Sequence, residues 1–126
     1  MPAKQYVIRE PSATAITTAG TTIDFLGVTG TVLASFLNVS ATGSNTELDI
    51  QIYNVEPLSF NTILPALINH TSITGSNLPN GTPFSEIKSF TDQSGSIFGP
   101  VIKIQYTVSG SAPSVAFSHE IVTKGY

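Results

Sequence analysis

Cysteine and tryptophan are absent from this chain of 126 residues, and charged residues are scarce. Without cysteine the chain can form no disulfide framework, no thiolate metal site and no thiol nucleophile. Only 10% of the residues are Asp, Glu, Lys or Arg, whereas about 25% is typical of globular domains. Five basic residues and a net charge of −3 argue against nucleic-acid binding, because that function needs clustered Lys and Arg to replace phosphate counterions.

Long apolar segments are also missing. The longest apolar runs extend over only a few residues, which is too short to span a membrane. Residues 1–20 contain no basic stretch followed by an apolar one, so no signal peptide is recognisable. We therefore expect a mature form, a protein exported without a standard signal, or one that stays in the producing cell until lysis.

Four segments alternate between apolar and polar residues and a fifth, residues 31–40, is a longer apolar run, whereas no ten residues show the apolar spacing of a helix. Such period-two alternation is typical of strands that place one face on a core. The segments are residues 21–26, 31–40, 47–55, 101–108 and 114–123, and both faces of residues 31–40 are expected to be largely buried. The expected inward side chains include Leu48, Ile50, Ile52, Ile102, Ile104, Tyr106, Val108, Val115, Phe117 and Ile121.

Weaker strand patterns and glycine-containing turns complete the predicted architecture. Residues 13–17, 60–68 and 85–90 are further strand candidates, although a short helical turn at residues 63–68 is an alternative. With Gly-rich turns between them, eight or nine strands predict an all-β fold: an antiparallel two-sheet β-sandwich, jelly-roll-like or immunoglobulin-like. Residues 13–126 form the single predicted domain. Residues 69–83 form a long polar loop, which is typical of a binding or mobile segment.

Catalytic and metal-binding patterns are few. Ser118, His119 and Glu120 are adjacent on a predicted strand, so their side chains point to alternate faces and cannot form a triad. The two histidines, His70 and His119, lack the spacing of a zinc site, and we expect His70 to be exposed in the long loop. The carboxylates show no spacing that favours a glycosidase pair. The prediction is a protein that is not an enzyme, with no catalytic residue, cofactor or metal.

Association is the remaining chemistry, because a small sandwich has edge strands with unpaired backbone groups. Residues 1–12 are extended and are bounded by prolines, which predicts an N-terminal arm that could complete the sheet of a neighbouring subunit. The alternative is that residues 5–9 pair within their own sheet. The predicted subunit-interface residues are Tyr6, Val7, Ile8, Arg9 and Pro11.

The run "SIFGPVIKIQYTVSGS", the turn "GVTGT" and the N-terminal peptide before a Thr/Gly-rich eight-stranded unit resemble the endospore-appendage subunits of spore-forming Gram-positive bacteria. The resemblance covers about a third of the chain. It implies a jelly-roll subunit that stacks into pili, with its N-terminal connector inserted in a preceding subunit. Members of that family are cross-linked through cysteines, which this chain lacks, and they end before the strand at residues 114–123. Covalent cross-linking is therefore not implied.

These observations lead to three hypotheses. The first is a structural subunit that assembles non-covalently with itself into an extracellular fibre, pilus-like appendage or surface layer, on a cell or spore surface, without nucleic acid or membrane insertion. The alternative is a phage or virus particle protein, such as a capsid decoration or tail component, which the missing signal peptide favours. A second alternative is a carbohydrate-binding module that contacts glycans through residues 69–83.

Overall fold

The computed structural model describes residues 3–43, 45–74, 84–91 and 98–124, and these residues form nine strands without a helix. The alternating segments of the sequence coincide with the longest strands, because each places its apolar residues on one side of an extended backbone. The strands are β1 (Ala3–Arg9), β2 (Gly20–Gly27), β3 (Val32–Thr42), β4 (Glu47–Val55), β5 (Thr62–Asn69), β6 (Ile73–Thr74), β7 (Phe84–Thr91), β8 (Val101–Ser109) and β9 (Val115–Lys124).

The strands build two antiparallel sheets. The four-stranded sheet has the order β1-β9-β3-β7, and the five-stranded sheet has the order β2-β8-β4-β5, with β6 added beside β4. The all-β, two-sheet antiparallel sandwich predicted from the sequence is confirmed, with nine strands. Since no helix occurs among the described residues, none of them provides an apolar helix long enough to cross a membrane.

The core lies between the two sheets and contains the side chains that the alternation placed inward. Every second residue is buried along β8 and from Leu48 to Ile52 on β4, so the sheet presents an apolar face to its partner. The predicted inward positions are confirmed on β4, β8 and β9. The buried apolar core consists of Val28, Leu33, Leu37, Val39, Leu48, Ile50, Ile52, Ile68, Ile73, Phe98, Ile102, Ile104, Tyr106, Val108, Val115, Phe117 and Ile121.

A glycine turn moves the chain from one sheet to the other between β8 and β9. Gly110 has a φ of +122°, and a Cβ added there would lie 1.7 Å from the backbone oxygen of Asn45. Only a residue without a Cβ fits this close approach. The turn therefore lets the chain pass close to Asn45 on its way from β8 in the five-stranded sheet to β9 in the four-stranded sheet.

Three local predictions differ from the structure. Residues 13–17 form no strand and contribute one isolated bridge, from Ile16 to Val115. Residues 63–68 are part of β5, so the helical alternative was wrong: this segment pairs with β4 through residues 62, 63, 68 and 69. On β3 one face is buried and the other is only half-buried or exposed, because no described strand covers the outer face of the four-stranded sheet.

The long polar loop is only partly described. It begins after β5 as predicted, but β6 at Ile73–Thr74 already pairs with Leu48 and Glu47 on β4. Residues 75–83 lie outside the described residues.

Candidate functional site

The predicted N-terminal arm forms an edge strand of its own sheet in this chain. β1 pairs antiparallel with β9, from Ala3 opposite Lys124 to Val7 opposite Glu120, with a shift in register before Arg9. This arrangement is the alternative in which residues 5–9 pair within their own sheet. The opposite edge of β1 has no strand beside it among the described residues, so its backbone groups are available to another chain.

The side chains of β1 divide between the core and the surface. Tyr6 and Ile8 are partly buried and pack against the core, whereas Val7 is 58% exposed on the outer face. Pro11 is exposed in the segment that follows. Only part of the predicted set therefore faces outward, because a strand turns alternate side chains to opposite faces. A subunit interface formed by Tyr6, Val7, Ile8, Arg9 and Pro11 stays a prediction.

Arg9, the last residue of β1, contacts residues of its own domain. Its guanidinium carbon lies 4.9 Å from the centre of the Phe117 ring, and Nη2 donates a hydrogen bond to the backbone oxygen of Thr14. Its buried Nε has no hydrogen-bond partner among the described residues. These contacts connect the end of β1 to its own domain.

The outer face of the four-stranded sheet forms a shallow hollow of about 730 Å³. One row of paired residues crosses it, from Val7 through Glu120 and Phe36 to Ile87. Ile87 is 63% exposed. Three of the four side chains in this row are apolar, which is unusual for the solvent face of a sheet.

A second apolar surface, here called the turn patch, lies on the five-stranded sheet and consists of Phe25, Leu58, Phe60, Ile63 and Leu64. Leu58 is 94% exposed and Leu64 is 74% exposed, and the rings of Phe25 and Phe60 lie 4.9 Å apart between centres. Large apolar side chains left in solvent, two of them in ring contact, are typical of interaction sites.

The carboxylate of Glu56 organises the turn that presents this patch. Its Oε2 accepts hydrogen bonds from the backbone N–H of Ser59 at 2.7 Å, the hydroxyl of Ser59 at 2.7 Å and the backbone N–H of Leu58 at 3.2 Å. These bonds, those from Ser59 first, lower the pKa of Glu56 below its ordinary value. The turn is thus fixed in a conformation that leaves Leu58 in solvent.

A continuous chain of five polar side chains crosses the interior of the sandwich, and we call it the interior chain: Tyr106, His119, Ser35, His70 and Glu86. The hydroxyl of Tyr106 lies 2.6 Å from His119 Nδ1, and His119 Nε2 lies 2.5 Å from Ser35 Oγ. Ser35 Oγ lies 2.7 Å from His70 Nε2, and His70 Nδ1 lies 2.8 Å from Glu86 Oε1.

Both sheets contribute to the interior chain. Ser35, Glu86 and His119 belong to β3, β7 and β9 of one sheet, whereas Tyr106 lies on β8 of the other and His70 directly follows β5. Four of the hydrogen-bonded side chains have exposed fractions of 6% or less: Ser35, His70, Tyr106 and His119. The chain is therefore a polar connection between the sheets inside an apolar core.

The expectation that His70 is exposed was wrong. His70 is 6% exposed, and its backbone N–H donates to the oxygen of Ile50 at 3.0 Å, which fixes it beside β4. The sequence suggested a loop because a polar segment follows Asn69. The structure instead extends β5 to that residue and turns the next side chain inward toward Glu86.

The other buried members could have been recognised from the alternation itself. Ser35 stands between Leu33 and Leu37 on β3, and His119 stands between Phe117 and Ile121 on β9. Each occupies an inward position of a period-two strand. The predicted divergence of Ser118, His119 and Glu120 is confirmed, because His119 is buried whereas Ser118 and Glu120 are half-buried on the other face of β9.

The hydrogen-bond partners determine where each proton lies. A carboxylate can only accept, so His70 donates from Nδ1 to Glu86, and neutral His70 accepts at Nε2 from the Ser35 hydroxyl. Because the single hydroxyl hydrogen of Ser35 is then used, His119 donates to it from Nε2. His119 Nδ1 accepts from the hydroxyl of Tyr106. Every donor in the chain meets an acceptor when both histidines are neutral.

Burial favours this uncharged arrangement. Removal from water lowers the pKa of His119 to about 3, with the nearby His70 as a smaller cause. Burial also lowers the pKa of His70, although its contact with Glu86 acts in the opposite direction. Burial raises the pKa of the Tyr106 hydroxyl far above its ordinary value.

Glu86 is the one ionised member. Its partial burial raises its pKa, but hydrogen bonds from Thr71 and His70 outweigh that effect, so the net shift is downward. The backbone N–H of Thr71 donates to Oε1 at 2.8 Å, and the Thr71 hydroxyl donates to Oε2. The carboxylate therefore stays charged at neutral pH, where it is the terminal acceptor of the chain.

Glu86, His70 and Ser35 have the connectivity of a hydrolase triad but not its accessibility. Ser35 is 0% exposed, and its oxygen lies between two imidazole nitrogens, so a substrate has no approach to it in this conformation. No group of three or more His, Cys, Asp or Glu side chains that could hold a metal ion occurs in the described ranges.

Comparisons with known proteins give a likeness of fold. No protein-family model matches the chain, and no curated protein matches it. A solved structure of the Gx strain of infectious bursal disease virus matches over 98% of this chain and 33% of the viral chain, with a TM-score of 0.57 and 16% identity.

Two further solved structures from the same virus give weaker matches. They are the Gt strain (TM-score 0.49, 17% identity, 96% of this chain and 32% of that chain) and the VP2 subviral particle (TM-score 0.48, 16% identity, 98% and 33%). The chain thus spans about a third of the length of the solved chains it matches. At this identity, the Gx-strain match shows that the sandwich fold is shared.

Proposed function

We propose that this chain is a structural subunit of a virus particle, the second of the hypotheses drawn from the sequence. The observation that most supports it is the match of 98% of the chain to a third of a chain of infectious bursal disease virus, at a TM-score of 0.57. Fold alone does not define function, so the proposal also rests on the surface of the molecule.

The surface fits a protein that packs against other subunits. Charged residues make up 10% of the chain, and both outer faces expose apolar side chains, in the hollow and in the turn patch. Subunit contacts bury apolar side chains at their centre and exclude charge from it. In this proposal the outer faces contact neighbouring subunits, and the location is the virus particle.

The test is the assembly state of the purified chain, examined by sedimentation velocity and negative-stain microscopy over a range of concentrations. Closed shells or rings are the expected result. Phe60→Ser should weaken assembly because it removes the ring that packs on Phe25. Asn61→Ala is the matched control, because Asn61 is exposed in the same turn and the turn uses only its backbone N–H and C=O. A chain that stays monomeric at every concentration would contradict self-assembly.

The fibre hypothesis stays a prediction, and the same micrographs distinguish filaments from closed shells or rings. It is favoured by one observation, the exposed edge of β1 with Val7 58% exposed beside it. Filaments whose formation is blocked by Val7→Lys would support pairing at that edge, because an inserted charge prevents sheet extension. A glycan site in residues 69–83 also stays a prediction, since most of that segment lies outside the described residues.

A further inference from the structure

We propose that the interior chain is an acid-sensitive latch, which holds the two sheets together at neutral pH and releases them when its histidines are protonated. The inference does not depend on the proposed particle function, and it is tested on the isolated chain. It rests on the positions, burial and hydrogen bonds of the five side chains.

The first support is that the latch contains both histidines of the sequence. His70 and His119 are the only histidines among the 126 residues, and histidine is the one side chain whose ordinary pKa lies between about 5 and 8. Their rings lie 5.9 Å apart between centres, and both Nε2 atoms bond the same oxygen, Ser35 Oγ. Mild acid therefore acts on one place in the fold.

The second support is the direction of the hydrogen bonds. If His70 gains a proton, its Nε2 becomes a donor to Ser35, and the hydroxyl of Ser35 must turn toward His119 Nε2. His119 then donates from Nδ1 to Tyr106 Oη, whose own hydrogen has no other acceptor among the described residues. One added proton thus reverses the chain and leaves a buried hydroxyl unpaired, which is costly in an apolar interior.

A second proton cannot be accommodated. With both imidazoles charged, two N–H groups face Ser35 Oγ, and the hydroxyl hydrogen of Ser35 has no acceptor. Two like charges would also stand with ring centres 5.9 Å apart in a low-dielectric interior, where their repulsion is strong. Separation of the sheets relieves both problems because it admits water.

The charged groups that act on the latch lie near His70 and near Tyr106. Glu86 and Lys88 on β7 act on His70, with opposite signs. Arg9 on β1 and Asp24 on β2 act on Tyr106. The buried neighbours of the latch on β3, β4 and β5 are uncharged. Among the described residues, Glu86 is the charged group that favours a charged histidine, and it contacts His70 rather than His119.

The sign of the pH effect follows from the burial of neutral histidine. Both histidines have a pKa below the unfolded value of about 6.5, so the unfolded chain binds more protons in this range. Stability is therefore complete above about pH 6.5 and is lost as pH falls below it. Glu86, with its lowered pKa, acts in the same direction but only below about pH 4.5.

The experiment is urea unfolding of the full chain between about pH 7 and about pH 5, a range in which histidine is the side chain that titrates. For each histidine kept neutral in the folded state, the unfolding equilibrium constant should rise as the pH falls, approaching about tenfold per pH unit below about pH 6.5. His119→Gln should remove one histidine's share of this slope, and His70→Gln should remove the other. Ser89→His, which adds an exposed histidine on β7, is the matched control and should leave the slope unchanged.

Flat stability over this range would overturn the latch, as would a slope of the full original size in either glutamine variant. If the variants do not fold, nitrogen NMR of the unaltered chain decides. At neutral pH we expect the proton on Nδ1 of His70 and on Nε2 of His119, with neither ring titrating near pH 6.5 in the folded chain. An ordinary titration of either ring would also overturn the proposal.

Discussion

The interior and the outer faces of this sandwich depart from the usual distribution of side chains in opposite directions. Between the sheets lie buried polar groups, including Ser35, His70 and His119, and each of these three has hydrogen-bond partners. On the outer faces lie large apolar side chains, such as Leu58 and Ile87, that remain in solvent. The polar interior is complete within one chain, whereas the apolar exterior would be buried only by another one.

The difference shows which groups find their partners within one chain and which do not. A buried polar group destabilises a protein unless it is hydrogen-bonded, and the interior chain satisfies that condition without a second molecule. An exposed apolar surface, in contrast, is removed from water only by contact with another molecule. Substitutions inside should therefore change the stability of the isolated chain, and substitutions outside should change association instead.

The largest effect is expected for Ser35→Ala. The substitution removes the oxygen that both imidazole Nε2 atoms bond, at 2.7 and 2.5 Å, so two buried groups lose a partner. We expect a loss of about 2–4 kcal/mol in the free energy of unfolding, measured by urea denaturation at neutral pH. Ser40→Ala on the same strand removes one exposed hydrogen bond, from its hydroxyl to the backbone oxygen of Ala116, and should cost about 1 kcal/mol or less. Equal losses in the two variants would show that the interior chain adds nothing specific.

A smaller loss is expected for Tyr106→Phe. The ring still packs against Phe117, at 5.3 Å between ring centres, but His119 Nδ1 loses its only donor among the described residues. We expect a loss of about 1–2 kcal/mol by the same measurement. Tyr53→Phe, on the outer face of the five-stranded sheet, is the control. If the two variants were equally stable, the hydrogen bond from Tyr106 to His119 would make no net contribution to the free energy of unfolding.

Most of the fold could be predicted because strand alternation is a local property. Leu48, Ile50 and Ile52 repeat at period two, and any strand with that pattern buries them on one face. The pairing of β1 with β9 could not be decided in this way. It joins residues at least 110 positions apart, and a free edge accepts a strand from either chain.

The interior chain could be predicted only in part. The alternation places Ser35, Tyr106 and His119 inward, but it does not show that their polar atoms meet. Their contact depends on the stacking of the two sheets, which no local pattern encodes. His70 gave a misleading signal, since the polar segment after it resembles a surface loop. Its burial follows from the long-range contact with Glu86 on β7.

The smallest effect on stability is expected for Leu58→Ser in the turn patch. Leu58 is 94% exposed, so its replacement removes almost no buried apolar area, and the free energy of unfolding should change by less than about 0.5 kcal/mol. The hydrogen bonds from the turn backbone to Glu56 do not involve its side chain, so the turn should persist. If the turn patch contacts another subunit, sedimentation velocity should show weaker association of this variant at equal concentration. A variant that unfolds easily but associates normally would contradict this expectation. Leu58 would then stabilise the fold of the single chain and would not contact another subunit.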